Sequence, residues 1–148
     1  GNKYSIDLDG PGVYRVPGSS VCIELKLATG TTVKPGYNKR CQKMLDWEKL
    51  PKPLKLRSWR PGDRYQPLGR SKEKKLKTLF QEGRIALWDR TGWPVVCGVA
   101  SVVHDAKKQR GSAQTIIWTR GFGPAVNFVP DDNTETILEI TEFHPGRV

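Results

Sequence analysis

Short stretches in which apolar and polar residues alternate predict β-strands along most of this chain. Two such stretches lie at 4–8 and 21–28, with a shorter apolar run at 13–16 between them. A Pro-Gly pair follows the stretch at 4–8 and another follows 13–16, as turns do between antiparallel strands. We therefore expect residues 1–45 to form a β-meander that leads into the rest of the chain.

Four further strands are predicted by the same signals, at 54–59, 94–103, 114–118 and 137–143. Polar residues 104–112 lie between the second and the third of these, so we expect them to form a hairpin loop. Large apolar side chains in this part of the chain are expected to be buried by default. They include Trp88, Trp93, Val95 and Ile117.

One helix is predicted over residues 72–82. Its apolar stripe has the spacing i, i+3 and i+4 and consists of Leu76, Leu79 and Phe80. Ser71 is a candidate N-cap and Gly83 a candidate end. Lysines crowd the first half of this helix, where positive charge is mildly unfavourable because it lies at the positive end of the helix dipole. This arrangement suggests an anionic partner.

Glycine and proline are abundant, with 15 and 11 of the 148 residues, which favours short strands joined by tight turns over a helical bundle. A chain of this length buries enough surface to fold without a disulfide or a structural metal. The composition and the strand pattern together predict mainly antiparallel strands with a few short helices, in one compact unit.

The three cysteines, Cys22, Cys41 and Cys97, are odd in number and widely spaced, as is typical of reduced thiols in a cytoplasmic protein. They show no paired spacing of the zinc-site type, so no metal is expected. No apolar run reaches the roughly 18 residues that span a bilayer, so no membrane partner is expected either. The sequence predicts a cytoplasmic protein and leaves open whether it forms an oligomer.

Positive charge is concentrated in one stretch of the chain. The whole sequence carries 25 basic and 15 acidic residues, a net charge of +10, and residues 55–90 alone hold 11 basic and 4 acidic residues. A basic face held in shape by a fold suits the phosphates and 2′-hydroxyls of a structured RNA. The alternative is a protein-interaction module, whose basic face docks an acidic partner or a catalytic domain.

The residues expected to contact RNA phosphates are the arginines and lysines of this stretch: Arg57, Arg60, Arg64, Arg70, Lys74, Lys75, Lys77 and Arg90. Arginine binds phosphate through two parallel hydrogen bonds, whereas lysine acts as a point charge. Trp59 lies among them, and both a stacking position against RNA and a core position fit it.

The segment Arg60–Asp63 predicts a tight turn, because proline sets the first corner and glycine supplies the positive φ of a type II turn. Four residues are expected to organise loops: Pro61, Gly62, Asp63 and Gly69. Arg57 has an alternative role here, since an arginine beside such a turn often bonds the aspartate and the turn carbonyls.

An ordered series of short motifs runs from residue 56 to residue 122. The motifs lie at 56–64, 67–69, 74–77, 84–85, 90, 93–96, 117–118 and 121–122. Their order and spacing resemble the C-terminal, tRNA-binding domain of bacterial tRNA(Ile)-lysidine synthetases, so residues 46–148 are expected to be that domain. Two features depart from the family pattern: Ile85-Ala86 replaces the common Ile-Pro, and the loop at 104–112 is longer.

The resemblance implies an α+β fold of the kind shared with the beta subunit of phenylalanyl-tRNA synthetase. It also implies a ligase reaction in the full-length enzyme, in which ATP, with magnesium, activates the wobble cytidine of the anticodon and lysine is joined to it. The implied role of this chain is to bind and position tRNA(Ile), with the acceptor end as the region of contact. The enzyme's own N-terminal catalytic domain is the second implied partner.

The chemistry of that reaction belongs to an N-terminal ATP-binding domain with a Ser-Gly-Gly-x-Asp-Ser phosphate loop, which these 148 residues lack. Gly18-Ser19-Ser20 has neither the second glycine nor the aspartate. Cys97 and His104 could imitate a nucleophile pair, but a thiol in a valine-rich strand is usually a small buried hydrophobe. We therefore expect no catalytic residue and no cofactor in this chain, and no activity from it alone.

Overall fold

Eleven strands and two short helices are found in the computed structural model, which describes residues 3–29, 41–103 and 110–146. In chain order the strands are β1 (Ser5–Leu8), β2 (Gly12–Arg15), β3 (Cys22–Thr29), β4 (Met44–Asp46), β5 (Leu54–Ser58), β6 (Arg64–Tyr65), β7 (Lys74–Lys75), β8 (Pro94–Val103), β9 (Arg110–Thr119), β10 (Gly123–Pro124) and β11 (Thr136–Phe143). The helices are α1 (Leu76–Glu82) and α2 (Leu87–Arg90). The predicted α+β class with mainly antiparallel sheets is confirmed.

The larger sheet has five strands in the spatial order β1, β5, β8, β9, β10, all antiparallel. Leu56 in β5 stands opposite Ile6 of β1 and Val96 of β8. The predicted strands in this sheet are found, but the predicted loop at 104–112 is too long, because β9 already begins at Arg110. The backbone pairing of β9 with β8 extends to Arg110, which stands opposite Val103. Residues 110–112 therefore belong to a strand and not to the loop. Residues 104–109 lie outside the described part of the chain.

The second sheet has four strands in the order β2, β3, β11, β4. The predicted β-meander is wrong in its first step, because β1 does not pair with β2 but joins β5 in the larger sheet. Lys55 and Asp7, which are opposite each other in that pairing, form an ion pair at 2.8 Å. Alternation along a strand shows which side chains share a face, but it does not select the partner strand.

The main core lies between the two sheets. Both contribute to one cluster of buried apolar residues, with Leu8, Leu54, Leu56, Val96 and Ile117 from the larger sheet and Ile23, Leu25, Leu138 and Ile140 from the smaller one. These residues occupy alternate positions along their strands, which places them on the inner faces. Leu54, Leu56 and Ser58, at alternate positions of β5, are all buried.

A second core covers the opposite face of the larger sheet. Helix α1 packs its stripe there, against Trp93, Val95 and Ile116. Val95 belongs to this core whereas Val96 belongs to the first, since neighbouring residues of a strand point to opposite faces. The basic and aromatic face of β5 is thus turned towards the side that carries α1, α2 and the small β6–β7 sheet.

Candidate functional site

The Arg60–Asp63 turn lies where β5 leaves the larger sheet. Gly62 has a φ of +92°, and the N–H of Asp63 donates to the carbonyl oxygen of Arg60 over 3.0 Å. This geometry matches the predicted type II turn with Pro61 at its first corner. The Asp63 carboxylate accepts a further hydrogen bond from the backbone N–H of Arg60 at 2.7 Å, so the turn is held closed by its own aspartate.

Arg57 is buried behind this turn. Its guanidinium forms a two-point ion pair with Asp63, Nη1 to Oδ2 at 2.9 Å and Nη2 to Oδ1 at 3.0 Å, and its Nε donates to Oε1 of Gln114 at 2.7 Å. Burial alone would lower the pKa of Arg57, but the hydrogen bond and charge of Asp63 outweigh it and raise that pKa. The sequence predicts that Arg57 contacts an RNA phosphate. Only 3 % of its surface is exposed, however, so its side chain does not reach a phosphate at the surface. It takes the alternative role and organises the turn.

A second turn brings Arg70 to the surface. Gly69 has a φ of +90°, and the N–H of Arg70 donates to the carbonyl oxygen of Pro67 over 3.0 Å, so Gly69 fills the turn position that needs a positive φ. The N–H of Leu68 donates to the carbonyl oxygen of Pro124 over 2.9 Å. The turn is therefore fixed against the end of the larger sheet.

The lysine-rich segment is only partly helical, and the predicted helix over 72–82 begins four residues too early. Lys74 and Lys75 form strand β7 and pair with Tyr65 and Arg64 of β6. Lys75 caps α1 without a side-chain hydrogen bond, and the predicted cap at Ser71 plays no part. The reason is that the ladder with β6 already satisfies backbone groups that a longer helix would need.

Two carboxylates form ion pairs with three of the predicted RNA-contacting cations. Glu82 accepts from Lys74 at 2.7 Å and from Arg70 at 2.9 Å, and Glu73 lies 3.5 Å from Arg64. The hydrogen bond from Lys74, joined by that from Arg70, lowers the pKa of Glu82. At neutral pH the two carboxylates offset two of the three positive charges of Arg64, Arg70 and Lys74, and the remaining charge adds to that of the cations without an ion pair.

Arg60, Lys75 and Lys77 supply unmatched charge. All three side chains are exposed, and within the described part of the chain none of them forms an ion pair. Arg90 is half-buried: its Nε donates to the carbonyl oxygen of Ile85 at 2.9 Å, and its guanidinium lies 5.4 Å from the centre of the Phe80 ring. Arg90 thus fixes the start of α2 while it also borders the surface.

Trp59 has features of both predicted positions, the core position and the stacking position against RNA. Its ring meets Phe80 edge to face with ring centres 5.0 Å apart, so one side belongs to the second core. It also borders two surface hollows and is only partly buried. Packing on Phe80 holds the ring in place while it remains accessible to a ligand.

Helix α2 overturns one prediction about the core. Trp88, expected to be buried, is 80 % exposed, and the neighbouring Leu87 is 73 % exposed. A helix of four residues buries none of its own side chains here and has no second turn with which to form an apolar stripe. Sequence reasoning missed Leu87 altogether, although the lack of an apolar residue at i+3 or i+4 from it is visible in the sequence.

Two of the unmatched cations, Lys75 and Lys77, and one of the exposed apolar residues, Leu87, line one hollow of about 380 Å³, which we call the lysine hollow. It is lined by Trp59, Pro61, Gly62, Asp63, Lys75, Lys77, Leu87, Arg90 and Thr91. A second hollow, of about 470 Å³, lies on the other side of Trp59 and Pro61 and includes Lys3, Tyr4 and Arg60. Both volumes fall within the range of roughly 300–1,000 Å³ that is usual for ligand sites.

Other kinds of site find little support in the described residues. Cys22, Cys41 and Cys97 are buried, and burial raises the pKa of Cys97, which makes it a poor nucleophile. His104, its suggested partner, lies outside the described part of the chain. Across residues 3–29, 41–103 and 110–146, no group of three metal-binding side chains is close enough to hold an ion. No described helix has the length and apolarity needed to cross a membrane.

Comparison with protein families finds one match in the region that carries these features. Residues 54–103 match the family model described as the TilS substrate C-terminal domain. This range begins at β5, includes the turn, the lysine-rich segment and both helices, and ends with β8.

Several bacterial proteins named tRNA(Ile)-lysidine synthase are similar to the chain. The protein from Solibacter usitatus is 36 % identical over 143 residues, which is 94 % of this chain and 29 % of that protein. Those from Symbiobacterium thermophilum and Geobacter sulfurreducens are 26 % and 31 % identical and match 88 % and 74 % of the chain, which are 24 % and 23 % of their own lengths. The chain thus spans less than a third of the relatives that it matches.

A solved structure supports the fold independently. The crystal structure of a TilS C-terminal domain superposes with a TM-score of 0.69 over 98 % of this chain and 99 % of that one, at 22 % sequence identity. At this level of identity the likeness concerns the fold, including the residues before 54 that the family model does not reach.

Proposed function

Since the chain belongs to the tRNA(Ile)-lysidine synthase family and carries its C-terminal domain, we propose that it binds tRNA(Ile) and positions it for a catalytic domain. The observation that carries this proposal is the lysine hollow. There, cations without an ion pair, Lys75 and Lys77, stand beside accessible Trp59 and Leu87. Phosphate and base are the two chemical parts of a nucleotide that such a surface recognises.

The charge of the surface suits RNA backbone recognition. Arg60 lies in the Arg60–Asp63 turn, and Lys75 and Lys77 lie at the start of α1. The N–H of Leu76 donates to the carbonyl oxygen of Asp63 over 2.9 Å, which fixes the turn and the lysines relative to each other. Cations held at fixed spacing contact successive phosphates without reordering, and this lowers the entropic cost of binding.

ATP and lysine chemistry belongs, in this proposal, to the larger part of the relatives. The two loops that carry Gly10, Gly12 and Gly18 do not fit a nucleotide phosphate. Gly10 and Gly12 lie where β1 connects to β2, and Gly18 lies in the short connection from β2 to β3, so neither loop opens a helix. The residues of the lysine hollow and of the Arg60–Asp63 turn bind and orient the RNA. ATP supplies the activation of the cytidine in the catalytic domain.

Titration of tRNA(Ile) with the 148-residue chain tests the proposal. We expect a gel shift that unlabelled tRNA competes away, including tRNA of other specificities, because backbone contacts carry little sequence information. The matched control is Lys26→Ala, which removes an exposed lysine from β3, in the other sheet. Absence of tRNA binding at low salt, with the chain folded, would contradict the proposal and favour a module that docks an acidic protein.

A further inference from the structure

Helix α2 carries the two most exposed large apolar side chains among the residues that the structure describes. Four large apolar side chains are exposed in the described part of the chain, and the two most exposed, Trp88 at 80 % and Leu87 at 73 %, are neighbours on α2. The other two, Val13 and Leu27, lie in β2 and β3 of the smaller sheet and are 56 % and 37 % exposed. Adjacent exposed apolar groups of this size usually mark a binding surface.

The surroundings of α2 are cationic. Leu87 lines the lysine hollow together with Lys75, Lys77 and Arg90, while Trp59 forms another part of the wall. Arg64, Arg70 and Lys74 form ion pairs with Glu73 and Glu82. Apolar exposure and unmatched positive charge therefore coincide at this hollow.

We propose that the lysine hollow and α2 form a site for an unpaired nucleotide of the RNA, with the base against Leu87 and Trp88 of α2 and its phosphate at Lys75 and Lys77. This inference rests on the proposed function, because it assumes that the ligand is RNA. It adds that the chain distinguishes single-stranded from paired nucleotides, a distinction that a purely electrostatic surface does not make.

A paired nucleotide does not use what α2 offers. Within a duplex both faces of each base are covered by neighbouring base pairs, so an exposed indole finds no ring to stack on. An unpaired base has free faces, and stacking on aromatic side chains is tolerant of sequence because every base has a π-face. A hollow of about 380 Å³ bordered by both charge and apolar surface matches a single nucleotide more closely than a helical stem.

The position of Trp59 extends the site by one step. Trp59 and Pro61 border the lysine hollow on one side and the second hollow, with Arg60 and Lys3, on the other. An extended strand that places one base in the lysine hollow thus has a second cationic hollow within reach. The ring of Trp59, fixed by Phe80 at 5.0 Å, separates the two.

Two RNAs that differ only in an unpaired segment test this inference. One is a hairpin with four unpaired adenosines at its 3′ end, and the other is the same hairpin with a blunt end. We expect the chain to bind the extended hairpin about 5- to 150-fold more tightly, the factor that stacking of one base is worth. In Trp88→Ala and in Leu87→Ala most of this preference should be lost.

Val13→Ala is the matched control, because it removes another exposed apolar side chain from the smaller sheet, and it should leave both affinities unchanged. Melting curves of the variants should coincide with that of the original chain, since both side chains on α2 are exposed.

Equal affinity of the original chain for the two hairpins would overturn the inference but leave RNA binding intact. So would a preference that survives both α2 variants, which would assign α2 to a protein partner. Failure to bind either hairpin would instead overturn the proposed function itself.

Discussion

At the scale of single residues, the pair formed by Arg57 and Asp63 shows how one ion pair shapes the surface. Asp63 follows a Pro-Gly pair in the sequence, which predicted both the turn and the alternative in which Arg57 bonds its aspartate. What the sequence did not reveal is the burial of Arg57 under the turn, because this depends on Gln114, which lies 57 residues further along the chain. Contacts at that separation follow from the register of β9, not from local pattern.

Asp63→Asn should destabilise the fold. It leaves the buried Arg57 guanidinium without its counter-charge, a loss that typically costs about 3–5 kcal/mol. Urea unfolding followed by circular dichroism measures the change, and Asp132→Asn, at an exposed turn position, is the control and should stay close to the original. An unchanged unfolding midpoint for Asp63→Asn would show that Arg57 does not depend on this partner.

Glu82→Gln should increase affinity for tRNA. The change releases Arg70 and Lys74 from the carboxylate that now binds both, and two freed cations should steepen the dependence of log affinity on log salt by about 0.7–0.9 per new phosphate contact. Because the hydrogen bonds from Lys74 and Arg70 lower the pKa of Glu82, its carboxylate is charged throughout the range from pH 6 to pH 8, and the effect should be constant over that range. Glu48→Gln, at an exposed site outside the basic stretch, should bind like the original. A variant at Glu82 with unchanged affinity would place Arg70 and Lys74 away from the RNA.

At the scale of elements, strand positions and faces were predictable, whereas partners and helix limits were not. Alternation located β3, β5, β8 and β11, because half-buried strands repeat every two residues. The start of α1 escaped prediction because Lys74 and Lys75 have good helix propensity and yet pair with β6. At this point the pairing of β7 with β6 outweighs the helix propensity of the lysines. It also changes which lysines share a surface.

Gly98 in β8 gives a prediction at this scale. A Cβ at this position would meet the carbonyl oxygen of Pro51 and lie 2.5 Å from its Cγ, so β8 and the segment before β5 approach each other only because residue 98 has no side chain. Gly98→Ala should therefore lower the free energy of unfolding by about 1–3 kcal/mol, the usual cost of overpacking. Chemical denaturation tests it. A stable Gly98→Ala variant would mean that the segment at Pro51 shifts freely.

Lys75→Ala and Lys77→Ala should each weaken binding of all tRNAs to a similar degree and reduce the salt slope by about one unit or less. Their stabilities should remain within about 0.5 kcal/mol of the original, since both side chains are exposed. Leu76→Ala, between them and fully buried, is the contrast: it should cost about 2–5 kcal/mol and affect binding only through unfolding. Lower melting temperatures with unchanged affinity in the lysine variants would show that these lysines are structural.

At the scale of the whole molecule, the charge count predicted a basic face, but it did not show which charges are available. Residues 55–90 carry a large excess of positive charge. Three of their cations, however, form ion pairs with Glu73 and Glu82, and Arg57 is buried. The exposure of Trp88 was equally hidden, since tryptophan is usually part of a core. The surface that remains is smaller than the sequence indicated, and it combines charge with apolar groups.

The dependence of tRNA affinity on salt tests the central claim most directly. Binding to tRNA(Ile) is measured from about 50 to 300 mM KCl, and log affinity is plotted against log salt concentration. Three unmatched cations, Arg60, Lys75 and Lys77, predict a slope of about −2 to −3, because each phosphate contact releases condensed counterions. A slope near zero, or no measurable binding at the lowest salt, would contradict the claim that this surface binds RNA.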